Sequence, residues 1–151
     1  MPELTIRPVD RSNWEAALKL EIHPHQHAYT PSVVISLAKC YIRPDEEIVS
    51  PFALYHGELI VGFFTFTFDP ESQDVYWLNG YLIDKKYQGQ GYGRAGLAQL
   101  LKLARRIFPR MRSLSLTVNP ENTPARRIYE EAGFLNTNRL YHSELVYILK
   151  F

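Results

Sequence analysis

The first strand-like run, "LTIRPV", gives way to "SNWEAALKLEI", where apolar positions recur at helical spacing. Ser12 stands three residues before Glu15, the spacing of a capping box, so an amphipathic helix is expected to open there. "HPHQHAYTP" breaks it. Thr30 and Pro31 then lead into a second helix, Ser32 to about Ile42, which Pro44 stops because the residue before a proline avoids helical geometry. Beyond it the period changes. "FALYHGELIVGFFTFTFD" predicts two strands around a His56-Gly57 turn, rich in the β-branched and aromatic residues that suit a pleated surface. The turn cluster "DPESQD" introduces a third apolar run, "VYWLNGYLID".

In "YGRAGLAQLLKLARRIF", Leu97, Leu100, Leu101, Ala104 and Phe108 fall at steps of three and four, the stripe of a helix packed on a sheet, and Pro109 ends it. "SLSLTV" is a strand. Pro124 suits the first turn of a helix through "ARRIYEEA", and Gly133 suits its left-handed end. "FLNTNRL" and "SELVYILKF" complete the chain as strands. The order β-α-α-β-β-β-α-β-α-β-β predicts an α/β (α+β) protein with a mixed, mostly antiparallel sheet of six or seven strands flanked by about four helices.

Composition narrows the function classes. A length of 151 residues predicts one domain over 1–151, and 46% hydrophobic with 22% charged residues is the balance of a folded globular protein. A formal net charge of +1 argues against nucleic acid as a partner, and the basic stretch "ARRIFPRMR" reads as a solvated helix face. The lone Cys40, among apolar neighbours, excludes a disulfide framework and reads as core packing in a reducing compartment. The N-terminus lacks a signal-peptide layout and no apolar run approaches about 18 residues, so the expected setting is cytoplasmic, without a membrane.

The chemistry gathers in "LIDKKYQGQGYGRAG", Leu82 to Gly96. Gly91, Gly93 and Gly96 spell G-x-G-x-x-G, yet a dinucleotide fingerprint needs its first glycine directly after the first strand and an acidic residue about 20 positions on. Some eighty residues precede this motif, and "LSLTVN" ends without a carboxylate. A Walker loop is also missing. What remains is Gln88-x-x-Gly91-x-Gly93, a loop that follows a strand and opens a helix, where free N–H groups and the positive end of the helix dipole coincide to bind a pyrophosphate. Arg94, a cation in a helix's first turn, makes sense beside an anion. A flexible connector with an exposed arginine is the plainer reading.

This segment resembles the acetyl-CoA-binding motif of the GNAT superfamily of N-acetyltransferases, Q/R-x-x-G-x-G/A after a central strand. "VNPENTPARRIYEEAGF" is similar to the following motif of that superfamily, with Asn122, Ala125, Tyr129, Gly133 and Phe134 in place. The resemblance implies the acyl-CoA N-acyltransferase fold, acetyl-CoA as cosubstrate and no metal. It places the pantetheine arm along the main chain of Leu82 and Ile83, the pyrophosphate on the backbone of Gln88, Gly89, Gln90, Gly91, Tyr92, Gly93 and Arg94, and Asn122 either on the pantetheine or as a helix cap. Tyr129 corresponds to the usual general acid for the departing thiolate; core packing is the plainer reading.

An amine of pKa near 10.4 is neutral in about one molecule in a few thousand at pH 7, so a base or a water chain has to take its proton. Many relatives resembling polyamine acetyltransferases carry a carboxylate at the position aligned with Asn79, and an amide cannot replace it. Glu21, His23, His25 and His27 are the other candidates, each histidine also readable as a solvated loop residue. "HQHAYTPSVVISLAKCY" is similar to a segment of small bacterial spermine and spermidine acetyltransferases, which makes a small polyamine-like primary amine the first expected acceptor. Amino acids, peptide N-termini and aminoglycoside amines are alternatives. Asn79 keeps open a different class, a non-catalytic acyl-CoA sensor. Dimers through the last strands are common in this superfamily, so a homodimer is among the arrangements the resemblance allows.

Overall fold

A computed structural model describes residues 2–151. Seven strands form one sheet: β1 (Thr5–Pro8), β2 (Ile48–His56), β3 (Leu59–Phe68), β4 (Tyr76–Ile83), β5 (Ser113–Val118), β6 (Leu135–Tyr141) and β7 (Glu144–Lys150). Their spatial order is β1-β2-β3-β4-β5-β7-β6. The helices are α1 (Trp14–Leu18), α2 (Val33–Ile42), α3 (Tyr92–Ile107) and α4 (Thr123–Glu131), with 3-10 turns at Pro24–Ala28 and Lys85–Tyr87. Short loops make the neighbours antiparallel, whereas the long crossover through α3 returns β5 parallel to β4. The expected mixed, mostly antiparallel sheet with four helices is what the chain forms.

The helical stripe of α3 does what its spacing predicts. Leu97, Leu100 and Ala104 are buried against Leu54, Phe64, Phe66, Leu78, Leu114 and Leu116 on one face of the sheet. On the other face a smaller cluster of Ala17, Ile22, Val33, Phe63 and Leu82 holds α1 and α2. Gly133, at φ 104°, ends α4 as expected.

Two expectations fail locally. The first helix is five residues long and its N-cap is Asn13; Ser12 instead bonds Asp10 through both its N–H and its hydroxyl. The chain leaves helical geometry because it is tied to the end of β4. The buried Asp84 carboxylate accepts from the N–H groups of Glu21 at 3.0 Å and Lys86 at 2.9 Å, while the Lys85 N–H donates to the Glu21 carbonyl at 2.7 Å. These bonds span the sequence gap that no local pattern reports. The strand expected from Phe52 also starts earlier, at Ile48, and includes Pro51. Pro51 lies past the end of the β1 ladder, where its missing N–H costs no pairing on that side, and its carbonyl accepts from the Val9 N–H at 3.0 Å.

Phe63 pairs with Leu82 and Thr65 with Asn79, so β4 carries one extra residue opposite β3. Gly80, at φ 61°, supplies that bulge. The side-chain alternation is thereby reset: Trp77 and Asn79 face α2, Leu78 faces α3, and past the bulge Tyr81 and Ile83 turn to the α3 side. β4 and β5 are paired only at Trp77 and Ser115. Beyond that point they part, and the main chain of the second half of β4 borders an open cleft.

Candidate active site

The cleft has a volume of about 430 Å³ and lies between the end of β4, the start of α3 and the side of α4. Leu82, Ile83, Gln88, Gly89, Gly91, Gly93, Arg94, Asn122 and Tyr129 all border it. Two residues expected with them point elsewhere. The Gln90 amide donates to the Lys86 carbonyl at 3.1 Å, and the buried Tyr92 places its hydroxyl 3.0 Å from His56 Nδ1. For these two, only the main chain is available to the cleft.

The glycines have separate reasons. Gly89 and Gly91 sit at φ 75° and 86°, and Gly91 is the N-cap of α3, where a left-handed residue turns the chain from loop to helix. A Cβ at Gly93 would lie 3.2 Å from Ile128 Cδ1, so glycine sets the approach of α3 to α4. Gly96 makes room for the Tyr81 phenol, which donates to the Gly93 carbonyl at 2.7 Å. The G-x-G-x-x-G spelling is thus built from unrelated packing needs. The backbone N–H groups from Gly89 to Arg94 have no acceptor among the described residues, and they cluster at the positive end of a 16-residue helix.

Arg94 has a partner that sequence spacing does not reveal. Its guanidinium donates to the Glu131 carboxylate through Nε at 2.7 Å and NH2 at 3.3 Å. The hydrogen bonds first, and the charge second, hold Glu131 below the usual carboxylate range. An anion of the chain itself therefore accounts for this cation, and an external phosphate is not needed to explain it. Gln88 is likewise engaged. Its amide exchanges reciprocal bonds of 2.9 and 3.0 Å with Gln26, and its Nε2 also donates to the Ile83 carbonyl at 2.9 Å. The side chain fixes the loop to the 3-10 turn, leaving the ligand side to the backbone.

Asn122 precedes α4 without capping it, so of its two expected roles the cap is not made. Tyr129 is buried against Phe134, and its hydroxyl has no hydrogen-bond partner among the described residues. Burial first, and the Glu144 carboxylate second, push its pKa well up, which keeps the phenol protonated through the physiological range. Glu144 accepts from the Thr117 hydroxyl at 3.0 Å.

The other candidates for a base are not at this cleft. Glu21 is paired with Lys85 at 2.8 Å, His23 and His25 stack on each other, and His27 shares with Glu21 a hollow of about 180 Å³ next to Leu82. Asn79 faces α2, with Oδ1 accepting from the Thr67 hydroxyl at 2.8 Å. Sequence reasoning passed over Gly80 and Ser36. An isolated glycine within a strand pattern is a recognisable bulge signal; a serine inside a helical run gives none.

A seven-stranded sheet opened between its parallel pair, with a glycine loop entering a helix at the opening, defines an acyl-CoA N-acyltransferase fold. Residues 14–134 match the model of the Acetyltransferase (GNAT) family, and the chain belongs to that family: it is an acetyl-CoA-dependent N-acetyltransferase. It is 27% identical over 136 residues to the probable spermine N(1)-acetyltransferase of Bacillus subtilis subsp. natto, covering 87% of each chain. Its fold is similar to spermidine N-acetyltransferase from Vibrio cholerae in complex with CoA and spermine, with a TM-score of 0.76 at 17% identity over 98% of this chain and 95% of that one. PaiA N-acetyltransferase from Thermoplasma acidophilum, in complex with coenzyme A, aligns with a TM-score of 0.72 at 11% identity over 99% of both chains. The family assignment takes the place of the acyl-CoA sensor reading. Among the described residues no helix is long and apolar enough to cross a membrane.

Proposed function

We propose that the protein transfers an acetyl group from acetyl-CoA to a primary amine of a small polyamine-like acceptor, by direct attack in a ternary complex. The observation that carries this reading is the row of backbone N–H donors from Gly89 to Arg94 that no group of the described chain accepts. Such donors are a cost to the fold unless water or a ligand takes them, and a diphosphate matches their number and sign. The opened edge of β4 at Leu82 and Ile83 fits an arm carrying amide groups, and Asn122 fits the same arm.

When bound, acetyl-CoA supplies an acetyl thioester. The residues of this chain then have three tasks. The β4 main chain orients the thioester and meets the negative charge that develops on its carbonyl oxygen. The amine nitrogen forms the new C–N bond as the C–S bond breaks, and its surplus proton leaves to solvent. Tyr129 gives its proton to the departing sulfur. Burial makes the phenol a weaker acid than a thiol, so its contribution is to meet the negative charge on sulfur as the C–S bond breaks and to spare the site a bare thiolate. Cys40 is remote from this chemistry: its thiol donates to the Ser36 carbonyl at 3.3 Å, and burial pushes its pKa up, away from a nucleophilic thiolate.

Thiol release from acetyl-CoA with a panel of amines, alongside calorimetry with coenzyme A, tests the proposal. Coenzyme A binding with turnover on polyamines is expected. Absence of heat with coenzyme A would remove the diphosphate site, and turnover confined to peptide N-termini would replace the acceptor.

A further inference from the structure

Among the described residues, the hydrogen bonds that tie the backbone between Tyr87 and Gly91 to distant parts of the chain all run through the side chain of Gln88. The Gln90 amide bonds only the Lys86 carbonyl, within the loop itself. A Cβ at Gly89 would meet nothing within 4 Å, and Gly89 and Gly91 both sit at positive φ, so packing does not fix this backbone. Gln88 does. Its Nε2 spends one hydrogen on the Ile83 carbonyl at 2.9 Å and the other on Gln26 Oε1 at 3.0 Å, while its Oε1 accepts from Gln26 Nε2 at 2.9 Å. Gln26 Oε1 accepts in addition from the His23 N–H at 2.9 Å.

The two ends of this network fix both amides. A main-chain carbonyl only accepts and a main-chain N–H only donates, so Gln88 must turn its nitrogen to Ile83 and Gln26 its oxygen to His23. The pair between them then closes with every donor matched to an acceptor. Ile83 is the informative end. The Asp84 N–H donates to the Val61 carbonyl on β3 at 2.8 Å, so the main chain of Ile83, one residue earlier, faces the other way, into the gap beside β4. One carboxamide thus orders both the end of the β4 edge and the entry to the glycine loop. Gln26 orients that carboxamide, and it borders the same cleft together with Ile22 and Thr30 of its own segment.

We infer that Gln26 is a positioning residue for acetyl-CoA: it holds Gln88 in the one orientation that presents the β4 edge and the N–H row of residues 89–94 together. The inference rests on the reading above in which that row takes the diphosphate. Without Gln26, the Gln88 carboxamide loses its partner and the loop has only the Ile83 contact to hold it. The ligand must then order the loop itself, which consumes part of the binding free energy and lowers the affinity.

Calorimetry with coenzyme A on the full chain, alongside thermal melts, tests it. Gln26→Ala is expected to weaken coenzyme A binding about tenfold, the scale of one or two partly buried hydrogen bonds. Gln26→Glu should bind at least as weakly, because a carboxylate oxygen then faces Gln88 Oε1. Adding Gln88→Arg to Gln26→Glu should bring the affinity back to within about threefold of the unaltered protein: the carboxylate still accepts from the His23 N–H, and the guanidinium donates both to it and to the Ile83 carbonyl. A residue that only stiffened the 3-10 turn would shift the melting temperature, leave coenzyme A affinity unchanged and gain nothing from the second substitution. Coenzyme A bound equally by the unaltered protein and Gln26→Ala, or a double variant no better than Gln26→Glu alone, overturns the inference while the diphosphate site stands. Absence of heat with the unaltered protein removes the diphosphate site and the inference together.

Discussion

Tyr129→Phe separates chemistry from packing more cleanly than any other single change. The ring is buried against Phe134 and its hydroxyl makes no hydrogen bond among the described residues. Removing a hydroxyl bonded to another group of the chain costs about 1 kcal/mol, but this one borders the cleft and bonds no group of the described chain, so the melting temperature should hold. Coenzyme A affinity should hold as well, since the N–H donors at residues 89–94 and the β4 main chain are untouched. Turnover should not. A positioned acid contributes about a hundredfold to ten-thousandfold in rate, which corresponds to roughly 2.7–5.5 kcal/mol of barrier. Thiol release under saturating acetyl-CoA and amine measures kcat, and calorimetry with coenzyme A measures the affinity. A variant with unchanged kcat would show that the departing sulfur takes its proton from water, and the role given to Tyr129 would be wrong. Equal losses of stability and rate would reduce Tyr129 to a packing residue.

Gly91→Val should abolish coenzyme A binding and cost about 1–3 kcal/mol of stability, because a β-branched residue cannot adopt φ 86° without strain; denaturant melts and calorimetry check both parts. Gly80→Ala faces a similar penalty at φ 61° with Ser36 Oγ 2.9 Å from the new carbon, so it should lower stability in denaturant melts by about 1–3 kcal/mol. With an amide at position 79 and no base at the cleft, kcat/KM should rise about tenfold per pH unit from pH 6 towards 9 as the acceptor loses its proton. The raised phenol keeps its proton through that range, so no descending limb is expected below about pH 10; a plateau from pH 7 would reveal a protein base. For Glu131, held low by Arg94, stabilisation is present above the unfolded carboxylate pKa of about 4.3 and is lost as pH falls through the lower folded value. Both side chains are half exposed, so Glu131→Gln should flatten only that acid step in pH-dependent melts, and salt should weaken the difference.

Where the sequence was informative, local physics sufficed. The α3 stripe, the strand "SLSLTV" and the proline and glycine bounding α4 each follow from periodicity or from the conformational limits of one residue. The glycine loop was legible as a candidate anion site because unpaired N–H donors are a property of any helix start. Contacts between distant segments were not. The Asp84 tie that cuts α1 short spans 63 residues, and the Arg94–Glu131 pair spans 37; neither leaves a trace in composition or spacing. Ser36 was unreadable for a related reason. It stands against Gly80 on a strand 44 residues away, where a Cβ would come 2.9 Å from its Oγ, and a helical pattern records only where it sits.

The Gly80 bulge also divides labour within one strand. Residues 77 and 79 look into one chamber and 81 and 83 towards the other, so a substitution before the kink leaves the walls of the chamber beyond it unchanged. Two stretches whose side chains would otherwise keep one alternation are thereby set apart, and the extra residue is the hinge of that independence.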